Sequence, residues 1–292
     1  MANKTNPSLY YTRMDASKDD KRKMLAFIQD GDSVLDVGAG SGVVGNTILG
    51  AFPNACVTAI DSSDTAVERL LPVSAKYPGR MQVKQTEFLP IEKQKYDAVV
   101  FCSVLHEIFS YTEYEGRKFN LAIIEDTIKK AADMLNPGGR IIIRDGVAPS
   151  SNCKVMLRYL NEETRRLAER YEREFRGFDL GILHTQYGDI MPRRSAMELM
   201  YTITWGETSF DREVQEWYGY YSLEDWKALT LKLTTMGLRL THIEKYLQQG
   251  YADNLAEKIE LTSPPKATND GGIRVGKASF PASNCLIVFE KN

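Results

Sequence analysis

The chain has 292 residues, of which 43% are hydrophobic, enough for one large core or for a domain with a sizeable subdomain. Its 37 basic and 39 acidic side chains nearly cancel, so no strong overall field favours nucleic acid or an anionic membrane. No apolar run approaches the roughly 20 residues that span a bilayer, the polar stretch from Met1 to Pro7 lacks the apolar core of a secretion signal, and the four cysteines form no CxxC pair. We therefore expect a cytoplasmic protein with no membrane partner and no metal site.

The first half of the sequence alternates short apolar strands with helices. Ser17, followed by Asp20, predicts the start of an N-terminal helix. Strands are predicted at 33–37, 55–60, 81–83, 96–102 and 140–143, with helices between them at 42–51, 64–76 and 118–135. This alternation favours a parallel, doubly wound α/β sheet.

The second half has a different pattern. A charged helix is predicted over 154–175, then a less regular and aromatic-rich stretch, then a helix near 223–235. Strand character returns at 238–243 and 285–289. Because 149–237 is much longer than a usual crossover helix, we interpret it as an insertion that covers a site.

The clearest motif begins at Asp36 and reads D-V-G-A-G-S-G. Glycines after a strand allow a tight turn and a close approach of ligand to backbone. The dinucleotide pattern G-x-G-x-x-G fails when counted from Gly38 but holds from Gly40 through Gly42 and Gly45, which leaves an NAD(P) oxidoreductase open. Asp36 disfavours that alternative, because a carboxylate there repels a pyrophosphate and suits an ammonium group.

A second acid, Asp61, ends the second predicted strand about twenty residues beyond the glycines. A carboxylate at this position can accept hydrogen bonds from ribose hydroxyls, although a surface acid that starts a turn is the alternative. Together with Asp36, it fits a cationic amino acid joined to adenosine better than it fits NAD.

With these residues, positions 15–147 resemble the class I S-adenosylmethionine-dependent methyltransferase family. The resemblance implies a seven-stranded, mostly parallel, Rossmann-like sheet with S-adenosyl-L-methionine as the cofactor. It implies a methionine site at Asp36 and the glycine turn, and a ribose site at Asp61. Either Thr86 or Glu87 would meet the adenine amino group. The expected cofactor contacts are Asp36, Gly38, Ala39, Gly40, Gly42, Asp61, Ser62, Thr86, Glu87, Phe88 and Cys102.

The same resemblance suggests the domain organisation. We expect a cofactor-binding core with an N-terminal helix over 1–149, a helical and aromatic lid for the acceptor over 150–237, and the last two strands of the sheet over 238–292.

Catalytic candidates follow the fourth and fifth strands, because ligands of this fold bind outside the carboxyl ends of the strands. His106 is a candidate general base, since imidazole titrates near neutral pH; an orienting role at the head of a helix is the alternative. Asp145 can accept a proton or position an amine, but we favour a structural pairing with Arg144. His106, Arg144, Trp205 and Tyr220 are candidate acceptor contacts, and aromatic surfaces can stack on a planar acceptor.

The function that fits best is in-line transfer of a methyl group to a small or medium-sized acceptor under the lid. An RNA or tRNA methyltransferase is the first alternative, and a non-catalytic S-adenosylmethionine-binding regulatory subunit is an alternative of another class. We favour a small molecule over RNA because the arginines of 165–176 alternate with glutamates, which is typical of a solvated helix face.

Overall fold

A computed structural model describes residues 18–88, 94–270 and 272–292, so Ser17 and part of the predicted N-terminal helix lie outside the described residues. The chain divides into two compact units. The first combines the chain up to Gly146 with Leu223–Glu244 and Cys285–Asn292. The second consists of Val147–Ser222 and Lys245–Asn284.

Both units contain strands and helices. In chain order, the strands are β1 Ser33–Val37, β2 Cys56–Asp61, β3 Met81–Gln85, β4 Tyr96–Cys102, β5 Leu135–Gly146, β6 Lys154–Tyr159, β7 Leu183–Thr185, β8 Gly188–Pro192, β9 Leu238–Tyr246, β10 Ile259–Thr262, β11 Lys266–Ala267, β12 Ile273–Arg274 and β13 Asn284–Lys291. The helices are α1 Lys18–Lys21, α2 Val43–Ala51, α3 Asp64–Ser74, α4 Leu105–Tyr111, α5 Ala122–Asp133, α6 Glu162–Glu174, α7 Arg193–Trp205, α8 Phe210–Glu213, α9 Leu223–Thr234 and α10 Tyr251–Ala256, with 3-10 segments at Arg22–Phe27 and Glu207–Ser209.

The first unit is built on a seven-stranded sheet with the order β3-β2-β1-β4-β5-β13-β9. Strands β1 to β5 pair in parallel, and the interiors of β1 and β4 are buried. Continuous apolar runs such as Ala98–Phe101 are what strands covered on both faces require. The predicted seven-stranded, mostly parallel Rossmann-like sheet is confirmed.

Strand β5 begins earlier than the sequence suggests. Leu135 already pairs with Tyr96, and the register shifts before Arg140 pairs with Ala98. The Asn136–Gly139 segment, which lies between the helix predicted over 118–135 and the strand predicted over 140–143, is therefore an irregular part of β5, and α5 ends at Asp133.

The second unit contains a four-stranded sheet, with the order β10-β6-β8-β7 and antiparallel pairs, in addition to helices. The predicted helix over 154–175 is therefore wrong in its first part, because β6 occupies Lys154–Tyr159. Helix α6 starts only after Asn161, whose side chain caps it by accepting a 2.8 Å hydrogen bond from the Thr164 amide. The insertion is thus a mixed α/β unit and not a purely helical one.

The predicted boundaries of the insertion also need correction. Helix α9, predicted as part of the lid, belongs to the first unit, where Trp226 is fully buried 6.5 Å from the Phe289 ring. Residues 245–284, predicted to lie at the end of the main sheet, belong to the second unit because β10 pairs with β6. Within the described segments, no helix combines the length and the apolar composition needed to cross a bilayer.

Candidate functional site

The glycine turn after β1 depends on backbone that only glycine adopts easily. Gly38, Gly40 and Gly42 all have positive φ, at 64°, 54° and 78°. A Cβ on Gly38 would lie 2.4 Å from Cγ2 of Val104, the second residue after β4. The missing side chain therefore lets the turn after β1 lie directly against the end of β4.

Asp61 is placed against this turn. Its Oδ2 accepts a 2.9 Å hydrogen bond from the Gly40 amide, and its Oδ1 accepts one of 2.9 Å from the Ser63 amide. The Ala39 amide donates to the Ile60 carbonyl at 3.0 Å, which ties the same two segments together. A carboxylate has about four lone-pair positions, so Asp61 keeps acceptor capacity beyond these two bonds.

Asp36, the fourth residue of β1, is a buried acid that lacks a hydrogen bond of normal geometry on either oxygen. Burial raises the pKa of Asp36 to about 7, although the charge of Lys21 and the nearby Gly45 amide oppose the increase. A buried carboxylate without partners is unfavourable unless a cation compensates it. The position fits an ammonium group of a ligand.

The segment after β3 contains the predicted adenine contacts. The Thr86 amide donates to the Asp61 carbonyl at 3.0 Å, so this segment lies beside the end of β2. Thr86 is half-buried and Glu87 is exposed. The Phe88 ring is buried 5.3 Å from that of Phe101, which makes it part of the core of the first unit. The other predicted contacts at strand ends are Ser62, which is exposed, and Cys102, which is buried.

His106 and Asp145 form a buried pair. The His106 Nδ1 and Asp145 Oδ1 are 2.6 Å apart, and the His106 amide donates to Asp145 Oδ2 at 3.0 Å. The Gly146 amide donates to Asp145 Oδ1 at 2.8 Å, so the carboxylate is held by two amides and one imidazole. Because Nδ1 faces a carboxylate, the neutral ring carries its proton there and its lone pair on Nε2.

Arg144 contacts Ser103. Its Nη1 donates to the Ser103 hydroxyl at 3.0 Å, while the Ser103 amide donates to the Arg144 carbonyl at 2.7 Å. The structure thus contains the pairs Arg144 with Ser103 and Asp145 with His106, and the favoured pairing of Arg144 with Asp145 stays a prediction. Both pairs join the end of β4 to the end of β5, which are neighbouring parallel strands.

In the second unit, Glu198 organises the aromatic segment 217–221. This fully buried acid of α7 accepts hydrogen bonds from the amides of Tyr218 and Gly219 at 2.9 and 2.8 Å. A Cβ on Gly219 would lie 2.7 Å from Glu198 Oε1. The candidate acceptor contact Tyr220 follows in this segment and is buried, whereas Trp205 is the half-buried last residue of α7.

The arginines of α6 are engaged by acids of the second unit. Arg165 pairs with Glu162 at 2.6 Å and with Glu169 at 3.2 Å. Arg170 pairs with Glu174 at 3.1 Å and with Asp211 at 2.8 Å. These contacts confirm the interpretation of the Arg/Glu run as a self-compensating surface.

Comparison with known proteins adds a family to this geometry. Residues 35–141, which contain the glycine turn, Asp61 and His106, match a family model described as a methyltransferase domain. In the structure, the glycine turn follows β1, a central strand of the seven-stranded sheet. The match covers less than half of the chain.

The individual proteins that the chain resembles are distant in sequence. Ribosomal RNA large subunit methyltransferase G of Pseudoalteromonas translucida (strain TAC 125) is 33% identical over 116 residues, which is 38% of this chain and 28% of that protein. The chain thus spans well under two thirds of that curated relative.

Two solved structures have a similar fold. The pyocyanin biosynthetic protein PhzM aligns with a TM-score of 0.53 and 12% identity, over 97% of this chain and 57% of that one. An O-methyltransferase family 2 protein from Planctomyces limnophilus, in complex with apigenin, aligns with a TM-score of 0.52 and 12% identity, over 100% and 63% of the two chains. At such identity the similarity shows the fold alone.

Two features of the structure could not be found from sequence reasoning. The pairing of His106 with Asp145 joins residues 39 positions apart, and only the neighbouring position of β4 and β5 explains it. Glu198 was missed because the sequence of α7 is interpreted as irregular. The sequence does contain an indication of this buried acid, since Glu198 is a single acid among the otherwise apolar or small residues of 195–203.

Proposed function

We propose that the protein is an S-adenosylmethionine-dependent methyltransferase that acts on a small or medium-sized acceptor through a group that must lose a proton, such as a hydroxyl. The observation that carries this proposal is the buried pair of His106 and Asp145 at the ends of β4 and β5. Val104, which contacts the position of a Cβ on Gly38, connects the same region to the glycine turn.

The chain's own residues fit the cofactor. Asp36 is a buried acid that needs a cation, and the cofactor's methionine end carries an ammonium group. The glycine turn offers backbone at close range, and Asp61 offers a carboxylate for the ribose hydroxyls. When bound, S-adenosyl-L-methionine supplies a methyl group on a sulfonium, which is already a good leaving group.

The role of His106 follows from its hydrogen bond. Asp145 holds the Nδ1 proton, so the basic nitrogen is Nε2. His106 takes up the proton of the acceptor hydroxyl at Nε2, and Asp145 stabilises the imidazolium that forms. The acceptor oxygen thereby becomes a nucleophile, and the protein's remaining task is to orient it.

Arg144, Trp205 and Tyr220 stay candidate acceptor contacts, as the sequence predicts. A small acceptor is supported by the ion pairs of α6, since these arginines are already compensated and offer little to a phosphate backbone. RNA is the second candidate, because the curated relative is named as acting on ribosomal RNA.

The test has two stages. Isothermal calorimetry should show binding of S-adenosylmethionine and S-adenosylhomocysteine and none of NAD. Transfer of a labelled methyl group should then be detected with a panel of hydroxylated aromatic compounds and not with ribosomal RNA or tRNA. Cofactor binding without transfer to any compound or RNA would favour the regulatory subunit, and absence of binding would refute the proposal.

A further inference from the structure

Arg194, the second residue of α7, is a half-buried arginine of the second unit. Within the part of the chain that the structure describes, no acid forms an ion pair with it. Arg170 of α6, in the same unit, pairs with both Glu174 and Asp211. The charge of Arg194 is therefore not compensated in the way that the charge of Arg170 is.

Two aromatic rings hold the guanidinium of Arg194. Its Cζ lies 4.7 Å from the centroid of the Trp217 ring and 5.4 Å from that of the Phe178 ring. The two rings are themselves 4.8 Å apart and pack against the buried core of the second unit. An aromatic face attracts a cation but supplies no lone pair of normal geometry to its N–H groups.

Most of the hydrogen-bond donors of Arg194 have no acceptor among the described residues. A guanidinium has five N–H donors, and the only acceptor for them is the Tyr220 carbonyl, 3.5 Å from Nη2. The Nε atom is removed from solvent and has no hydrogen-bond partner. Because an unpaired buried donor destabilises a fold, this arrangement points to an acceptor supplied by a ligand.

The position of Arg194 at the start of α7 adds to the positive potential. Helix α7 has 13 residues, no acid in its first turn and no side-chain cap from Pro192. Arg193 stands beside Arg194 at this end, where the partial positive charge of a helix disfavours cations. An anion bound to Arg194 would relieve this repulsion.

We propose that Arg194, together with Phe178 and Trp217, binds the carboxylate group of an aromatic ligand. A carboxylate accepts two parallel hydrogen bonds from a guanidinium, which suits the unused donors of Arg194. Both rings are partly exposed and offer apolar surface to a planar ligand, which inorganic phosphate could not use. The inference goes beyond the proposed function, since every group that it uses belongs to the second unit.

The experiment measures binding of three probes to the full chain by isothermal calorimetry: 2-naphthoate, the uncharged 2-naphthamide and inorganic phosphate. The wild type should bind 2-naphthoate at least about tenfold more tightly than either of the others. Arg194→Gln should weaken binding of 2-naphthoate by about tenfold or more and leave the affinity for 2-naphthamide unchanged.

The matched control is Arg165→Gln. Arg165 is an exposed arginine of α6 in the same unit, and it already pairs with Glu162 at 2.6 Å. Its loss should leave the affinity for 2-naphthoate unchanged, because its charge is compensated on the surface.

The inference would be overturned if the wild type failed to bind 2-naphthoate or bound the amide equally well. Wild-type affinity in Arg194→Gln, or binding of inorganic phosphate alone, would also overturn it. If Arg194→Gln does not fold, as judged by its thermal melting, Arg194→Lys replaces it. Arg194→Lys keeps the charge but not the planar fork, and must show the weaker binding. Binding of S-adenosylhomocysteine is measured separately, so the proposed function stands or falls independently of these results.

Discussion

Replacement of Asp36 by asparagine tests whether the buried carboxylate lowers the stability of the fold and is needed for binding of the cofactor. Asp36 is buried without a hydrogen bond of normal geometry, and burial raises its pKa from 3.8 to about 7. Lys21 and the Gly45 amide oppose this increase, and the charge of Asp61 adds to it. Between these two pKa values the folded protein retains a proton that the unfolded chain releases. The free energy of unfolding therefore falls as the pH rises from about 4 to about 7.

The magnitude follows from the difference between the two pKa values of Asp36. A difference of about 3 corresponds to about 4 kcal/mol once the pH is well above 7. Because the asparagine amide is uncharged at every pH, Asp36→Asn should be more stable than the wild type, by an amount that grows with pH. Between pH 5 and pH 8 the gain should grow by about 2 to 3 kcal/mol, since the unfolded chain is already largely ionised at pH 5.

The assay is urea denaturation of the cofactor-free protein at pH 5 and pH 8, with calorimetry of S-adenosylhomocysteine at pH 8. The control is Glu68→Gln, which removes an exposed carboxylate of α3 and should show no pH-dependent gain. Asp36→Asn should bind S-adenosylhomocysteine at least about tenfold more weakly, because the ionised partner of the ammonium is lost. An equal stability difference at both pH values, or an unchanged affinity, would refute the reasoning.

Four further substitutions test the remaining parts of the site. Asp61→Ala should weaken S-adenosylhomocysteine binding by about tenfold or more in calorimetry, and an unchanged affinity would exclude Asp61 as the ribose contact. His106→Ala should lower kcat by about 10²-fold or more with little change in cofactor affinity. Asp145→Asn should also lower kcat. A kcat of His106→Ala equal to that of the wild type would make His106 a structural residue. Gly38→Ala should lower the free energy of unfolding by about 2 kcal/mol or more in chemical denaturation, because its Cβ would lie 2.4 Å from Val104 Cγ2; wild-type stability would contradict the assigned close approach.

The first half of the fold could be predicted because its signals are local. Strands β1, β2 and β4 are short and mostly apolar runs, and the glycines that follow β1 are needed for positive φ. The cap of α3 is equally local, since the Ser63 side chain accepts from the Ala66 amide at 3.4 Å. Such features depend on neighbours only a few residues away, which sequence patterns report directly.

The second unit was harder to predict because its sheet is made from distant segments. Val155, Met156 and Leu157 form a continuous buried run that suits either a helix or a buried strand. Pairing with Gly188–Pro192 on one side and with Ile259–Thr262, about a hundred residues later, on the other decides for a strand. Leu160, which lies within the helix predicted over 154–175, is 53% exposed in the turn between β6 and α6.

The order of the strands in the sheet, and not the spacing of residues in the sequence, explains which residues of the candidate site lie near one another. Asp61, Asp36, His106 and Asp145 come from the ends of β2, β1, β4 and β5 or from the residues just beyond, and these four strands are consecutive neighbours in the sheet. Parallel strands place all their carboxyl ends at one edge, so the four side chains converge there whatever the length of the helices between them. The strand order thus explains how the pair of His106 and Asp145 comes to lie at the same edge of the sheet as the glycine turn, and the proposed chemistry of each side chain then follows from its own hydrogen bonds.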